Sequence, residues 1–185
     1  FLAFHLSGGT TEVLSATRWE AGFALEILGG TEDLHAGQFV DRLGVLMGLP
    51  FPAGPALEEL AEKGRPEAVR LPVAVRGLRV SFSGPLSAAE RLLAAGAARE
   101  DLAAAALECL GTSILLLLKE AVAATGLTTA VLAGGVAANR RIRRKLTESL
   151  PGLHLVFARP ELSTDNAVGV ALLAFDSTAE GVDHG

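Results

Sequence analysis

Phe1-Leu2-Ala3-Phe4-His5-Leu6-Ser7-Gly8-Gly9-Thr10-Thr11-Glu12-Val13-Leu14-Ser15 opens the chain and decides how it folds. A short apolar run, a glycine turn and a second extended run predict two antiparallel strands, and Phe23 to Leu28 adds a third. Toward the other end the grain changes. Thr129 to Ala133 is a short apolar run, closed by Gly134-Gly135 and followed by a helix carrying Arg140 to Leu146. Leu153 to Phe157 is another apolar run, followed by Arg159-Pro160, a turn, and a helix from about Thr164 to Phe175. Strand, glycine turn, helix, strand, loop, helix is the pattern of a parallel α/β unit. An antiparallel meander joined to that unit makes a mixed sheet with flanking helices, so the fold class is α/β.

The middle of the chain supplies the helices. Asp33 to Gly48 reads as helical, with Phe39, Leu43, Leu46 and Met47 on one face at spacings of three and four. Six of the eight prolines fall between Pro50 and Pro85, so residues 50–100 read as a helical and irregular insertion with short helices such as Pro55 to Lys63. Ser87 to Ala124, rich in Ala and Leu and free of proline, suits two long buried helices broken near Ala95-Gly96. There is no fixed-period repeat and no low-complexity linker, so residues 1–185 read as one lobe.

Composition excludes several classes of function. Of the 185 residues 50% are hydrophobic and 20% charged, with a net charge of −5, which is too apolar for intrinsic disorder. Cys109 is alone, so no intramolecular disulfide is possible. An acidic chain without tyrosine is a poor general nucleic-acid module. Ala121 to Asn139 carries no charge for 19 residues, close to the roughly 20 that span a bilayer. Its threonines and glycines fit a buried strand between turns better, so no membrane partner is expected and the compartment is cytoplasmic by default. The first apolar stretch lacks the basic flank and cleavage site of a secretory signal. A start at Phe1 in place of Met suggests a piece of a longer protein.

The motifs carry two readings each. Ser7-Gly8-Gly9-Thr10-Thr11 is an ordinary hairpin turn or a nest of backbone N–H groups for phosphate. Gly134-Gly135, after a strand and before a helix, is a tight turn or a place where a nucleotide lies on a helix start. Ser163-Thr164-Asp165-Asn166 holds preferred N-cap residues, and its carboxylate could also ligate a metal or accept from a ribose. Asp41 reads as a solvent-exposed carboxylate on an apolar helix, and Pro52-Ala53-Gly54-Pro55 as a sharp turn. Arg140-Arg141-Ile142-Arg143-Arg144-Lys145 is a solvated helix face or a phosphate-binding patch. Cys109 belongs to the core. No HExxH, CxxC, Walker loop or GxSxG occurs, so local spacing builds no metal site or nucleophile elbow.

The order of these motifs is more specific than any one of them. Ser7-Gly8-Gly9-Thr10-Thr11, Ala36-Gly37-Gln38-Phe39-Val40-Asp41, Gly48 to Pro55, Ser81-Phe82-Ser83-Gly84, Ala133 to Arg140 and Ser163-Thr164-Asp165-Asn166 follow one another. This succession resembles the C-terminal half of the tRNA threonylcarbamoyladenosine transferase family, earlier described as O-sialoglycoprotein endopeptidases. The resemblance implies one lobe of an actin-like ATPase, ribonuclease H-like fold. It also implies transfer of threonylcarbamoyl from threonylcarbamoyl-adenylate to an adenosine of tRNA. Carried over residue by residue, it makes Leu6, Ser7, Gly8, Gly9, Asp41, Gly54 and Asn139 substrate contacts. The glycine turn from Ser7 to Thr10 would hold phosphate, and Gly134-Gly135 would let the adenylate lie on the helix start.

Asp165 would be one ligand of a divalent metal, iron or zinc, whose paired histidines in the family precede the glycine turn. An ATP- or adenylate-type nucleotide and tRNA would be partners through the full-length protein, and a paralogous actin-like subunit or a second copy is possible. The chain departs from the family pattern at Gln38, where a Glu is usual, at Leu34 in the same helix start, and at Leu86, where a Lys is common. These departures leave open a non-catalytic paralogue that binds nucleotide or a partner as a scaffold.

Overall fold

The computed structural model describes residues 1–19, 22–159 and 163. Chain order runs β1 (Leu2–Leu6), β2 (Thr11–Trp19), β3 (Gly22–Thr31), α1 (Ala36–Leu46), α2 (Gly54–Ala61), β4 (Ala74–Arg76) and β5 (Arg79–Ser81). Then come α3 (Ser83–Ala94), α4 (Arg99–Thr125), β6 (Thr129–Ala133), α5 (Arg140–Ser149) and β7 (His154–Phe157). The opening meander forms as the sequence predicts, with β1, β2 and β3 antiparallel in turn. On the other edge of β1 lie β6 and β7, both parallel to their neighbours, with Phe4 opposite Leu132 and Leu132 opposite Phe157. The complete sheet is mixed, in the order β4-β5-β3-β2-β1-β6-β7.

One face of the sheet is apolar and covered. Alternation along β1 buries Leu2, Phe4 and Leu6 while His5 stays exposed, and Val13, Ala130 and Leu132 continue the buried face. Against it packs a helical layer centred on α4, a 27-residue helix. Ala103 to Ala106 let neighbouring helices approach α4 closely, and Leu110, Ile114, Leu117 and Leu118 fill the space beyond them. Gly126, in the left-handed region at φ 72°, ends the helix. By length and hydropathy α4 could cross a bilayer, but 72% of its most apolar window is buried inside the fold. The uncharged run noted in the sequence is the end of α4, then β6 and its turn.

Two expectations need correction. Residues 50–100 hold α2 and α3, as expected of a helical insertion, but also the short hairpin β4–β5. Its second strand joins the main sheet, pairing in parallel with Gly30 and Thr31 of β3. Three-residue strands are too short to show a period, which is why composition hid them. In α1, Phe39, Leu43 and Met47 are buried together with Val40, whereas Leu46 is 49% exposed. Leu46 lies at the margin of the apolar stripe and in the last helical position, where no element among the described residues covers it. The helix predicted from about Thr164 lies outside the described residues.

Asp33 fastens the insertion to the meander. Its carboxylate accepts from Ser81 Oγ at 2.6 Å, from Ser83 Oγ, from Phe82 N at 3.0 Å and from Leu34 N. Desolvation alone would raise its pKa, but these hydrogen bonds outweigh it and hold the carboxyl well below the usual carboxylate range. Above it, Phe39 of α1 stacks on Phe82 with ring centroids 5.6 Å apart.

Two outcomes follow for stability. Leu117→Ala, at a fully buried position on α4, should cost about 2–5 kcal/mol in urea unfolding. Because the folded carboxyl of Asp33 titrates below its unfolded value, the stability it contributes is present above about pH 4 and is lost as pH falls further. Asp33→Ala should therefore lower the melting temperature at pH 7, and the gap from wild type should narrow below pH 4.

Candidate functional site

The carboxyl ends of β1 and β6 lie side by side, and a cleft of about 500 Å³ opens beyond them. Crevices at the carboxyl ends of parallel strands are where α/β sheets bind ligands, because loops there leave helix N-termini facing one space. Three helix starts meet this one, through Gly37 of α1, Gly54 and Pro55 of α2, and Asn139 before α5. Leu107 and Leu110 of α4 and Ile142 of α5 form its apolar floor.

Five residues expected to bind substrate line the cleft together: Gly8, Asp41, Gly54, Gly135 and Asn139. They come from positions up to 131 apart in sequence. The glycines among them share one property. A Cβ added at Gly8, Gly54 or Gly135 would meet nothing within 4 Å, and none of the three lies at positive φ. Neither packing nor backbone conformation demands glycine at those three places, and what the missing side chains leave is room in the cleft.

Gly134 behaves differently. It sits at φ 100°, and a Cβ there would lie 2.3 Å from the Leu6 carbonyl oxygen. Gly134 and Leu6 therefore set the packing of β6 against β1 and are absent from the cleft wall. Ser7, Gly9 and Thr10 also stand outside it. The Ser7 hydroxyl accepts from Gly9 N at 3.3 Å and from Thr10 N at 3.0 Å, so amides of the supposed nest are partly satisfied within the turn.

The polar groups of the cleft each do two things. Asp41 is half-buried rather than freely solvated, because its Oδ1 accepts from Ala53 N at 2.8 Å and so fixes the loop that starts α2. Asn139 is 8% exposed and caps α5, its Oδ1 accepting from Ile142 N at 3.0 Å. Glu58, one turn beyond Gly54 on α2, also lines the cleft, and sequence reading did not single it out. Its Oε1 accepts from Arg140 N at 2.8 Å and Arg140 Nε at 3.3 Å, making it a second cap for α5. The i, i+4 spacing from Gly54 was the available signal.

The basic run is partly a solvated face, with Arg140 and Arg144 exposed, but most of its cations are paired within the fold. Arg140 pairs with Glu58 and Glu62, Arg141 donates to the Ala61 carbonyl, Arg143 to the carbonyls of Ala137 and Ala158, and Lys145 to Glu108. Cys109 is core, as expected, and burial pushes its thiol up to about 11.

The departures from the family pattern also find local explanations. Gln38 Oε1 accepts from His35 N at 3.3 Å, the reach-back bond that a Glu makes at the same helix position. Leu86 is 6% exposed in the core. Asp165 lies outside the described residues. Among those described, no three His, Cys, Asp or Glu side chains come together as a metal site, so the residues present do not by themselves make the expected metal centre.

The fold is that of the actin-like ATPase class. The activator of 2-hydroxyisocaproyl-CoA dehydratase from Clostridium difficile, solved with ADPNP, matches with a TM-score of 0.60 and 17% identity, covering 100% of this chain and 63% of that one. Component A of (R)-2-hydroxyglutaryl-CoA dehydratase from Acidaminococcus fermentans gives 0.61 and 22%, covering 96% and 62%. Within that class the chain belongs to the tRNA N6-adenosine threonylcarbamoyltransferase family, whose profile matches residues 2–172. The tRNA N6-adenosine threonylcarbamoyltransferase of Methanopyrus kandleri is 38% identical over 172 residues, covering 92% of this chain and 48% of its own length. A probable bifunctional tRNA threonylcarbamoyladenosine biosynthesis protein of Methanothermobacter thermautotrophicus is 36% identical over 174 residues, covering 93% and 32%. The chain thus spans from a third to about half the length of these relatives.

The two glycines of the β6 turn should separate cleanly. Gly134→Ala should destabilise by about 1–3 kcal/mol, because backbone of β1 must move. Gly135→Ala should stay within about 0.5 kcal/mol of wild type in the same urea titration.

Proposed function

We propose that this chain is the adenylate-binding half of a transferase that carries threonylcarbamoyl from threonylcarbamoyl-adenylate to an adenosine of tRNA. The observation that supports it most is the convergence of Gly8, Gly54 and Gly135, each with room where a side chain would stand, around Asp41, Glu58 and Asn139. Family membership supplies the reaction class, and the cleft supplies a way to hold its nucleotide part.

Charge sorts the substrate within the cleft. Carboxylates at Asp41 and Glu58 repel a phosphate and accept from hydroxyls, so the ribose belongs beside them. The phosphate belongs near Gly8 and Gly135, away from those carboxylates, where bare glycine backbone lets an anion approach N–H groups closely. Asn139 spends its oxygen on the helix cap, and its NH₂ is left as a donor toward the nucleotide. The apolar floor of Leu107, Leu110 and Ile142 excludes water beneath the ligand.

Held this way, the mixed anhydride keeps its carbamoyl carbonyl free for the N6 amine of the tRNA adenine. A C–N bond forms, the C–O bond to the phosphate breaks, the amine loses a proton, and AMP leaves. This chain's residues bind and orient the adenylate, and no step is assigned here to a metal. The iron or zinc with Asp165 as one ligand belongs to this proposal only as the full-length protein's centre.

Gly135→Val tests the reading directly. Calorimetry with AMP should show binding to the wild-type chain and a loss of at least roughly tenfold in the variant, at an unchanged melting temperature. Equal affinity in both, or none in the wild type, refutes the assignment of the cleft. If the full-length protein with its partners binds nucleotide but transfers nothing to tRNA, the scaffold reading replaces the transferase.

A further inference from the structure

Resting on the ribose placement proposed for the cleft, we infer that Arg140 is a positioning residue that sets the Glu58 carboxylate to read the ribose hydroxyls. Glu58 stands between two cavities. One is the cleft of about 500 Å³, and the other is a charged pocket of about 270 Å³ lined by Glu58, Glu62, Arg140, Arg141 and Arg144. Among the described residues Glu58 alone lines both, so whatever holds its carboxylate in the pocket decides what it presents to the cleft.

Arg140 holds one oxygen of that carboxylate twice. Its backbone N–H and its side-chain Nε both donate to Glu58 Oε1, at 2.8 and 3.3 Å. Its Nη2 donates at 2.9 Å to Oε1 of Glu62, the residue that closes α2 one turn further on. A single donor leaves a carboxylate free to turn about it, whereas two donors from one residue fix its plane. Oε2 accepts from no group among the described residues and is the oxygen left for a ligand. A glutamate side chain loses rotamer freedom when a ligand orders it, and ordering it beforehand removes that cost from binding.

Exposure separates this role from a structural one. The Arg140 side chain is 77% exposed, while that of Glu58 is only 17% exposed. An ion pair with so exposed a partner contributes little to folding, because water and salt screen it. The caps of α5 survive loss of the side chain, since Asn139 Oδ1 still accepts from Ile142 N and Glu58 from the backbone of residue 140. What goes is the second donor and the cation between two carboxylates. Glu58 is then free to turn, and the phosphate enters a cleft with more uncompensated negative charge. The charge effect weakens any nucleotide alike, whereas the turning affects only one that carries hydroxyls.

Calorimetry with AMP and with 2′,3′-dideoxy-AMP on the 185-residue chain tests this, because the ratio of the two dissociation constants isolates the hydroxyl contacts. The wild type should prefer AMP at least roughly tenfold, since hydrogen bonds to a carboxylate are strong ones. Arg140→Ala should reduce that preference to about threefold or less, at a melting temperature within about 3 °C of wild type. Arg140→Lys should fall between them, because an ammonium supplies charge but no planar fork to bridge Glu58 and Glu62. If Arg140→Ala keeps the full preference, whether or not both nucleotides weaken together, the positioning role is overturned and the cleft assignment stands. A wild type that binds both nucleotides alike overturns the ribose placement and this role with it. One that binds neither overturns the cleft assignment as well.

Discussion

The contact on which the rest depends is the one between Gly134 and Leu6. The carbonyl of Leu6 occupies the space where a side chain at residue 134 would stand, and the same carbonyl accepts from Val136 N at 3.1 Å. This nesting brings the turn after β6 against the turn after β1, although well over a hundred residues separate them. Parallel pairing from Leu2 with Ala130 to His5 with Ala133 runs up to that point and stops there. Closing so long a loop carries an entropy cost that only a large buried core can offset. That core is supplied by the face of β1 and β6 packed under α4.

Once the two turns are held together, the cleft has its back wall, and the helices complete it. Each polar group lining it is also a structural fastener. Asp41 ties the loop before α2, Asn139 caps α5, and Glu58 joins α2 to α5 through Arg140. A buried or half-buried polar atom without a partner is expensive, so one atom of each side chain satisfies the fold and the other stays available. The same fastening explains the basic run on α5. Four of its five cations reach carboxylates or carbonyls on other parts of the fold, holding α5 where Asn139 meets the cleft.

Much of this architecture was readable from residue order. The meander, the β6–α5–β7 part of the parallel unit, the long buried helix α4 and the break before it each follow from a period or a glycine that a one-dimensional pattern displays. In contrast α3, expected as a second long buried helix, has 12 residues and buries only Pro85, Leu86 and Ala89. The β4–β5 hairpin was not readable, since three residues make no period and its arginines look like loop. Leu46 was misplaced because helical phase gives a stripe but not its margin. Of the site, Gly8, Asp41, Gly54, Gly135 and Asn139 were singled out and do meet in the cleft. Ser7, Gly9, Thr10, Leu6 and Gly134 were singled out with them and do not line it, and their contacts lie within the turns. Glu58 was passed over, since a glutamate on a short charged helix looks like any solvated one.

The sequence by itself determined most of the elements, their order and the family, because periodicity, turn residues and motif succession are local properties of the chain. Only the tertiary structure decided which glycines exist for packing and which leave space for a ligand. Gly134 and Gly135 are adjacent and identical in a sequence, and they differ because one faces the backbone of β1 and the other faces an opening. That difference depends on atoms more than a hundred residues away, which no local pattern records.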